Sequence, residues 1–389
     1  MDGMNNGFKR ATESIKIFQD NPKDSILNYY IENGIKYNTI VLNDTSINDI
    51  VQNLNTNIKS SIDVLSEELD LLNRSFVQQF PKEITIDTQT KFVFKPLQRV
   101  GIYVPNKLPS SAYTFLSAAK AAGVSEVVVY LAINKNNKEI DPASVYVAKK
   151  YGATVTFGPA AYGFQILSFG VENVIDKCDK IYGPCGNSLN FVKQISSIVA
   201  KSDTDMSAGS SELVILTDKS DNLVQIKLDL LSQLEHGKDS MAYLVLVNQS
   251  PSNYTDILVD NKDKIKIIAF DNWADGINHV NCIAPETAVI YSCSEANIES
   301  AMVNISSAGV CYVNCVNSLG DYGAIGRGCA DPTGGMAKSQ SGISPLQFMK
   351  VIPFITSTDV KEKNKQAARN LAEYEGLKNH ANAIDNDNS

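Results

Sequence analysis

Gln233-Leu234-Glu235-His236-Gly237 sets a glutamine and a histidine three positions apart, just before a glycine. The chain has only three histidines, His236, His279 and His380. Upstream, Val224, Leu228 and Leu231, with Leu230 and Leu234 alongside, recur at helical spacing. Gly237 is expected to stop that helix in the left-handed conformation. Gln233 and His236 then project from one side of the last turn. The same pattern suits a capped helix whose polar residues face water, and the spacing alone leaves both readings open.

The other reactive residues give weaker signals. The seven cysteines, Cys178, Cys185, Cys282, Cys293, Cys311, Cys315 and Cys329, are odd in number and form no CxxC pair. Reduced thiols in the cytoplasm fit that usage better than a disulfide framework. Cys311 and Cys315 fall in "VCYVNC", which reads as a strand, so their spacing makes no metal clamp. No GxGxxG follows a predicted strand; "GAIGRG" reads as a loop. "GPCGN", Gly183 to Asn187, stands between a strand-like and a helix-like stretch, as a plain βα turn does and as a phosphate-cradling turn also does.

These residues must be positioned by a chain of 389 residues, 43% hydrophobic and 20% charged, which is ordinary globular material. A net charge of −8 without a basic stripe argues against nucleic acid as a partner. The opening "MDGMNNGFKRATESIKIFQD" lacks the apolar stretch of a signal peptide, and no apolar run is long enough for a membrane span. A cytoplasmic location is expected. Residues 1–90 read as helical, with Ile50, Leu54, Ile58, Ile62, Leu65 and Leu69 at three- and four-residue steps. Short apolar runs then alternate with helical stretches. "RVGIYVP", "EVVVYLAI", "SELVILTD", "MAYLVLV", "IKIIAF" and "AVIYSC" are the predicted strands, and the alternation means α/β units with parallel sheets. The reading divides the chain into a helical segment 1–90, a first α/β unit 91–210, a second 211–340, and a helical tail 341–389. The final "DNDNS" is polar and expected to fray.

Seven segments occur in a recognisable order: "RVGIYVP", "CDKIYGP", "TDMSAGSSELVILTD", "DLLSQLEHGKDS", "APE", "LGDYG" and "AEYEGLKNHANAI". On these the chain resembles the histidinol dehydrogenases, zinc- and NAD-dependent enzymes that oxidise an amino alcohol to an acid in two hydride steps. The resemblance implies two Rossmann-like units with helical segments at both ends. It implies zinc ligands at Gln233, His236, Asp321 and His380, a donor set that suits zinc and leaves room for a substrate oxygen. It implies substrate contacts at Ser211 and Glu375, and a dinucleotide site lined by Tyr103, Tyr162 and Asn187. His279 matches no ligand. A homodimer is implied too, with the C-terminal segment reaching the partner subunit; Leu371, Tyr374 and Leu377 on that segment need a surface to bury against.

Departures from the family pattern fall on the reacting residues. A Glu-His pair, water activator and general base, is here Glu286-Thr287. A threonine hydroxyl cannot take up a proton near neutral pH, and losing a positioned base costs about 10²–10⁴-fold in rate. A second histidine is replaced at Gly328 or Cys329, a proline by Ser210, a glycine pair by Asn106-Lys107, and a cofactor-side glutamine by Tyr162. The expected function is zinc-dependent, NAD-linked oxidation of a small amino alcohol or amino aldehyde other than histidinol. A non-redox zinc enzyme using Glu286 and metal-bound water, and a family member without activity, are the alternatives.

Overall fold

Four helices open the chain: Asp2–Asp20, Pro22–Glu32, Asp44–Val51 and Thr56–Gln79. The computed structural model describes every residue except Met1 and residues 34, 36–38, 88, 135, 137, 207–208, 220–222, 259–260, 326–327, 329, 357–359 and 387–389. Part of "GAIGRG", Cys329 and most of the terminal "DNDNS" therefore lie outside the described residues. The apolar stripe from Ile50 to Leu69 does not run through one helix, because one helix ends at Val51 and the next starts at Thr56. Within the long helix Ile62 and Leu69 are buried, whereas Ile58 is exposed.

The strands β1 (Glu83–Thr85) and β2 (Thr90–Pro96) come next. One five-stranded sheet then holds β3 (Arg99–Val104), β4 (Glu126–Ala132), β5 (Thr154–Gly158), β6 (Lys180–Tyr182) and β7 (Asp203–Thr204). A second holds β8 (Glu212–Thr217), β9 (Met241–Val247), β10 (Ile265–Phe270), β11 (Thr287–Tyr291) and β12 (Val310–Val313). The last strand is β13 (Met349–Ile355). The first sheet runs β5-β4-β3-β6-β7 and the second β10-β9-β8-β11-β12, so both share the order third, second, first, fourth, fifth. Every pairing within them is parallel. That is the order of a Rossmann-like sheet short of its last strand. Helices cover both faces, which is why "ELVILT" is buried at all six positions and reads as a continuous rather than an alternating run.

Two compact units result. Residues 1–79 with 96–348 form the first, residues 80–95 with 349–389 the second. The second contains the three-stranded sheet β1-β2-β13 and the helices Glu362–Tyr374 and Lys378–Asp385. Those helices pack through Ala372 and Ala381, and Arg369 pairs with Asp385 at 2.8 Å. Among the described residues no helix is long and apolar enough to cross a membrane.

The "GPCGN" turn joins β6 to the helix Asn187–Ala200, as a βα turn should. The Gly183 amide donates to Asp205 Oδ2 at 2.8 Å, and Lys193 Nζ donates to Gly183 O at 3.1 Å and Met206 O at 2.9 Å. Lys193 and Asp205 also form an ion pair, each at most 2% exposed. A charge this deep is tolerated only because its partner and the backbone carbonyls replace water. Lys193→Met leaves Asp205 uncompensated and is expected to lower unfolding free energy by about 3–5 kcal/mol in urea denaturation. Lys193→Met with Asp205→Leu is expected to recover most of the loss.

Candidate active site

Strands β8 and β11 are neighbours, with Leu213 opposite Thr287. That register sets the residues before each strand side by side, and the Ser211 hydroxyl is in short hydrogen-bond contact with Glu286 Oε2. The helix Leu223–Gln233 follows β8 and runs back to the same edge of the sheet before β9 begins. It delivers Gln233, whose Nε2 donates to Ser211 Oγ at 2.7 Å, and His236, whose Nδ1 lies 3.2 Å from the same oxygen. The Met241 amide closes the edge by donating to Ser211 O at 3.0 Å. Four predicted site residues, Ser211, Gln233, His236 and Glu286, are thus assembled around one hydroxyl.

The helix differs from its sequence-based reading in two ways. Its α-helical part stops at Gln233, and Leu234–His236 form a 3-10 turn. Gly237 has φ +154° and ψ +173°, not the left-handed helix stop, although this conformation too is open essentially only to glycine. The buried face carries Ile226, Asp229, Leu230 and Gln233, while Val224, Leu228 and Leu231 are exposed at 74%, 55% and 40%. Polar residues turn inward because strands β8 and β11 bring them partners, Ser211 for Gln233 and the Tyr291 hydroxyl, 2.7 Å away, for Asp229.

Asp321 ends the short helix Asn317–Asp321. Gly320 before it lets the Tyr312 ring approach: a Cβ there would lie 2.0 Å from the Tyr312 hydroxyl. Burial, then the charges of Asp331 and Asp229, push the Asp321 carboxyl up to about 6. Glu286 is half-buried, and burial, with Asp331, Asp321 and Glu212 as further repelling charges, pushes it up to about 8. Burial also raises Glu212, which clamps the Gly334 amide at 3.0 and 3.1 Å. His236 is open to solvent on one side, and the atoms packed on its other side lower its pKa. Asp331, Asp229 and Glu212 are parts of this site that sequence reasoning missed. Nothing in local spacing marks them, since they come from three separate segments.

The remaining predicted residues lie elsewhere. Thr287 starts β11 and is buried. Glu375 and His380 are exposed residues of the second unit. His279 is half-buried, with its ring 5.4 Å from that of Phe270. Tyr103, near the C-terminal end of β3, is only 2% exposed, with its ring stacked 4.5 Å from Phe164. Tyr162 packs against Phe18 at 6.1 Å and Tyr29 at 6.2 Å. Asn187 is exposed at the start of its helix. Of these three only Asn187 is exposed; Tyr162 is half-buried and Tyr103 sealed.

A metal fits the Ser211 cluster. Gln233 gives its Nε2 to Ser211 and so leaves its Oε1 for a cation, His236 offers a ring nitrogen, and Asp321 a carboxylate. Among the described residues no three His, Cys, Asp or Glu side chains gather as a metal site on their own. The candidate set has only two of those types, His236 and Asp321, in the first unit.

A sequence model of the histidinol dehydrogenase family matches residues 15–386. The chain belongs to the histidinol dehydrogenase family. It is 32% identical to histidinol dehydrogenase of Legionella pneumophila (strain Paris) over 86% of this chain and 81% of that one. It is 29% identical to the histidine biosynthesis trifunctional protein of Candida albicans over 90% of this chain, spanning 45% of that longer protein. The fold matches the crystal structure of histidinol dehydrogenase from Elizabethkingia anophelis with a TM-score of 0.84 at 23% identity, over 97% of this chain and 91% of that one. Family membership makes the chain an oxidoreductase by descent.

The raised carboxyls give this family member a pH signature. Glu286 and Asp321 hold protons more tightly folded than unfolded, where carboxyls titrate at about 4. Between those values the native state binds more protons, so the metal-free protein loses stability as pH rises through about 6 and about 8. The urea midpoint of metal-free protein should fall from pH 5 to pH 8.5. Glu286→Gln should flatten the upper half of that fall.

Proposed function

We propose that the chain is a zinc-dependent dehydrogenase acting on a small amine-bearing alcohol or aldehyde, with NAD as the hydride acceptor. The convergence of Gln233, His236 and Glu286 on Ser211 carries this reading. Gln233, His236 and Asp321 would hold zinc, with His380 as the fourth ligand. When bound, the metal would polarise the substrate oxygen and lower its pKa. Glu286 would activate the water that the aldehyde-to-acid step consumes, while the lowered pKa of the alcohol stands in for the absent histidine base. Thr287 is buried beside it and carries no proton-accepting group. Ser211 and Glu375 would hold the substrate, Glu375 by its amine.

Enzymes named for histidinol are the relatives of this chain, so histidinol is the reference substrate. Thr287 in place of one family histidine does not by itself exclude it, and residue 329, at the other position, lies outside the described residues. A non-redox zinc enzyme, with Glu286 activating water, is favoured by one observation: Tyr103 is sealed beneath Phe164 and Tyr162 is engaged by Phe18 and Tyr29. Rapid-mixing absorbance at 340 nm separates the two. Glu286→Gln that still forms one NADH per amino alcohol, stopping at the aldehyde, sinks the non-redox reading. A zinc-loaded wild type that forms no NADH from histidinol or simpler amino alcohols and binds no NAD by calorimetry sinks the dehydrogenase.

Metal content tests the ligand set. Alanine at Gln233, His236, Asp321 or His380 is expected to lower bound zinc by at least about tenfold at limiting metal, whereas His279→Ala should leave it unchanged. Equal zinc in all five variants removes the assignment.

We also propose a homodimer. Val224, Leu228 and Leu231 are exposed on the helix that bears Gln233, and Leu371, Tyr374 and Leu377 on the tail that bears Glu375 and His380. Apolar faces beside ligand positions suit cover by a second copy. Sedimentation velocity at micromolar concentration should give a dimer, and Leu228→Asp with Tyr374→Asp should shift it toward monomer.

A further inference from the structure

Three side chains reach the Ser211 hydroxyl: Gln233 Nε2 at 2.7 Å, His236 Nδ1 at 3.2 Å, and Glu286 Oε2 in short contact. A serine hydroxyl has one hydrogen to give and two lone pairs to offer. The Gln233 amide nitrogen can only donate, so it takes one lone pair. The hydrogen and the other lone pair are left for Glu286 and His236, one each. An ionised carboxylate can only accept. Ser211 then gives its hydrogen to Glu286 and must accept one from His236 Nδ1. A neutral imidazole has a single N–H, so Nε2 is left bare. A serine is thus inserted between a carboxylate and the imidazole whose N–H the carboxylate would otherwise accept directly.

We propose that Ser211 is a positioning residue that sets the tautomer of His236, passing the demand of the Glu286 carboxylate to Nδ1 and leaving Nε2 bare for a Lewis acid. This role belongs to the substrate-free state, since the three bonds use the whole hydroxyl and a substrate contact at Ser211 would displace one of them. It rests on the zinc reading for its purpose, although the tautomer itself exists without metal. It also explains why an exposed histidine is tied at one nitrogen. Without Ser211 the ring is free to rotate and to place its hydrogen on Nε2, where it blocks a metal. The hydrogen-bond count further requires that Glu286 and His236 respond to the same substitution, although they lie 50 positions apart in sequence, at 286 and 236.

With only three histidines, the experiment is direct. Ring ¹⁵N–¹H correlation spectra of metal-free protein at pH 9, where Glu286 is ionised, should show His236 chiefly as the Nδ1–H tautomer. Ser211→Ala should convert it to mostly Nε2–H, with His279 and His380 signals unmoved as a check on folding. Ser211→Thr, which keeps the hydroxyl, should retain Nδ1–H. Zinc affinity by chelator competition should fall about 10–100-fold in Ser211→Ala and recover in Ser211→Thr. Wild-type His236 as Nε2–H, or Nδ1–H surviving Ser211→Ala, overturns the proposal. A wild type with the expected tautomer but no zinc uptake upholds the relay and removes the zinc reading instead.

Discussion

The parallel register of β8 against β11 is the constraint on which the site depends. With Leu213 opposite Thr287, Ser211 and Glu286 leave the sheet side by side at its N-terminal edge. A parallel sheet also obliges each connecting helix to return to the edge where the next strand starts. The helix Leu223–Gln233 therefore ends at that edge and delivers Gln233 and His236 to it. Open α/β sheets ordinarily bind ligands at the C-terminal ends of their strands. The second sheet here gathers its reactive residues at the opposite end. Its Rossmann-like order serves here to set Ser211 and Glu286 side by side.

The two sheets treat buried charge differently. In the first, Lys193 and the Gly183 amide satisfy Asp205, so the charge is locked into the structure. In the second, Glu286, Asp321, Asp229 and Glu212 crowd together, and none of these four pairs with Lys or Arg among the described residues. Hydrogen bonds from Ser211, Tyr291 and the Gly334 amide offset part of their desolvation. The rest appears as raised proton affinity. Such a carboxylate set keeps protons that it would release in water.

Much of the architecture was legible in the chain. Strands buried on both faces need unbroken Val, Ile and Leu runs, and "ELVILT" and "YLVLV" carry that signature wherever they are placed. Alternation of such runs with helical stretches admits few solutions besides stacked βα units. The pairing of Gln233 with His236 was also legible, because a three-residue step on a helical turn fixes relative direction. The left-handed stop expected at Gly237 is absent: the α-helix ends at Gln233, and a 3-10 turn takes up Leu234–His236.

The sequence by itself determined the parallel sheets, the family's ordered motifs and the residue types of the proposed metal site, because these are carried by periodicity and local spacing along the chain. Only the tertiary structure decided which face of the helix Leu223–Gln233 turns inward. Val224, Leu228 and Leu231 point out, and Ile226, Asp229, Leu230 and Gln233 point in. Tertiary structure alone also showed that Tyr103 is sealed from solvent, that Asp331 repels Glu286, and that one serine hydroxyl joins a glutamine, a histidine and a glutamate. The reason is physical. Whether a polar group can be buried, and how tightly it then holds a proton, depends on partners that β8, β11 and the 331–334 segment bring from distant parts of the chain.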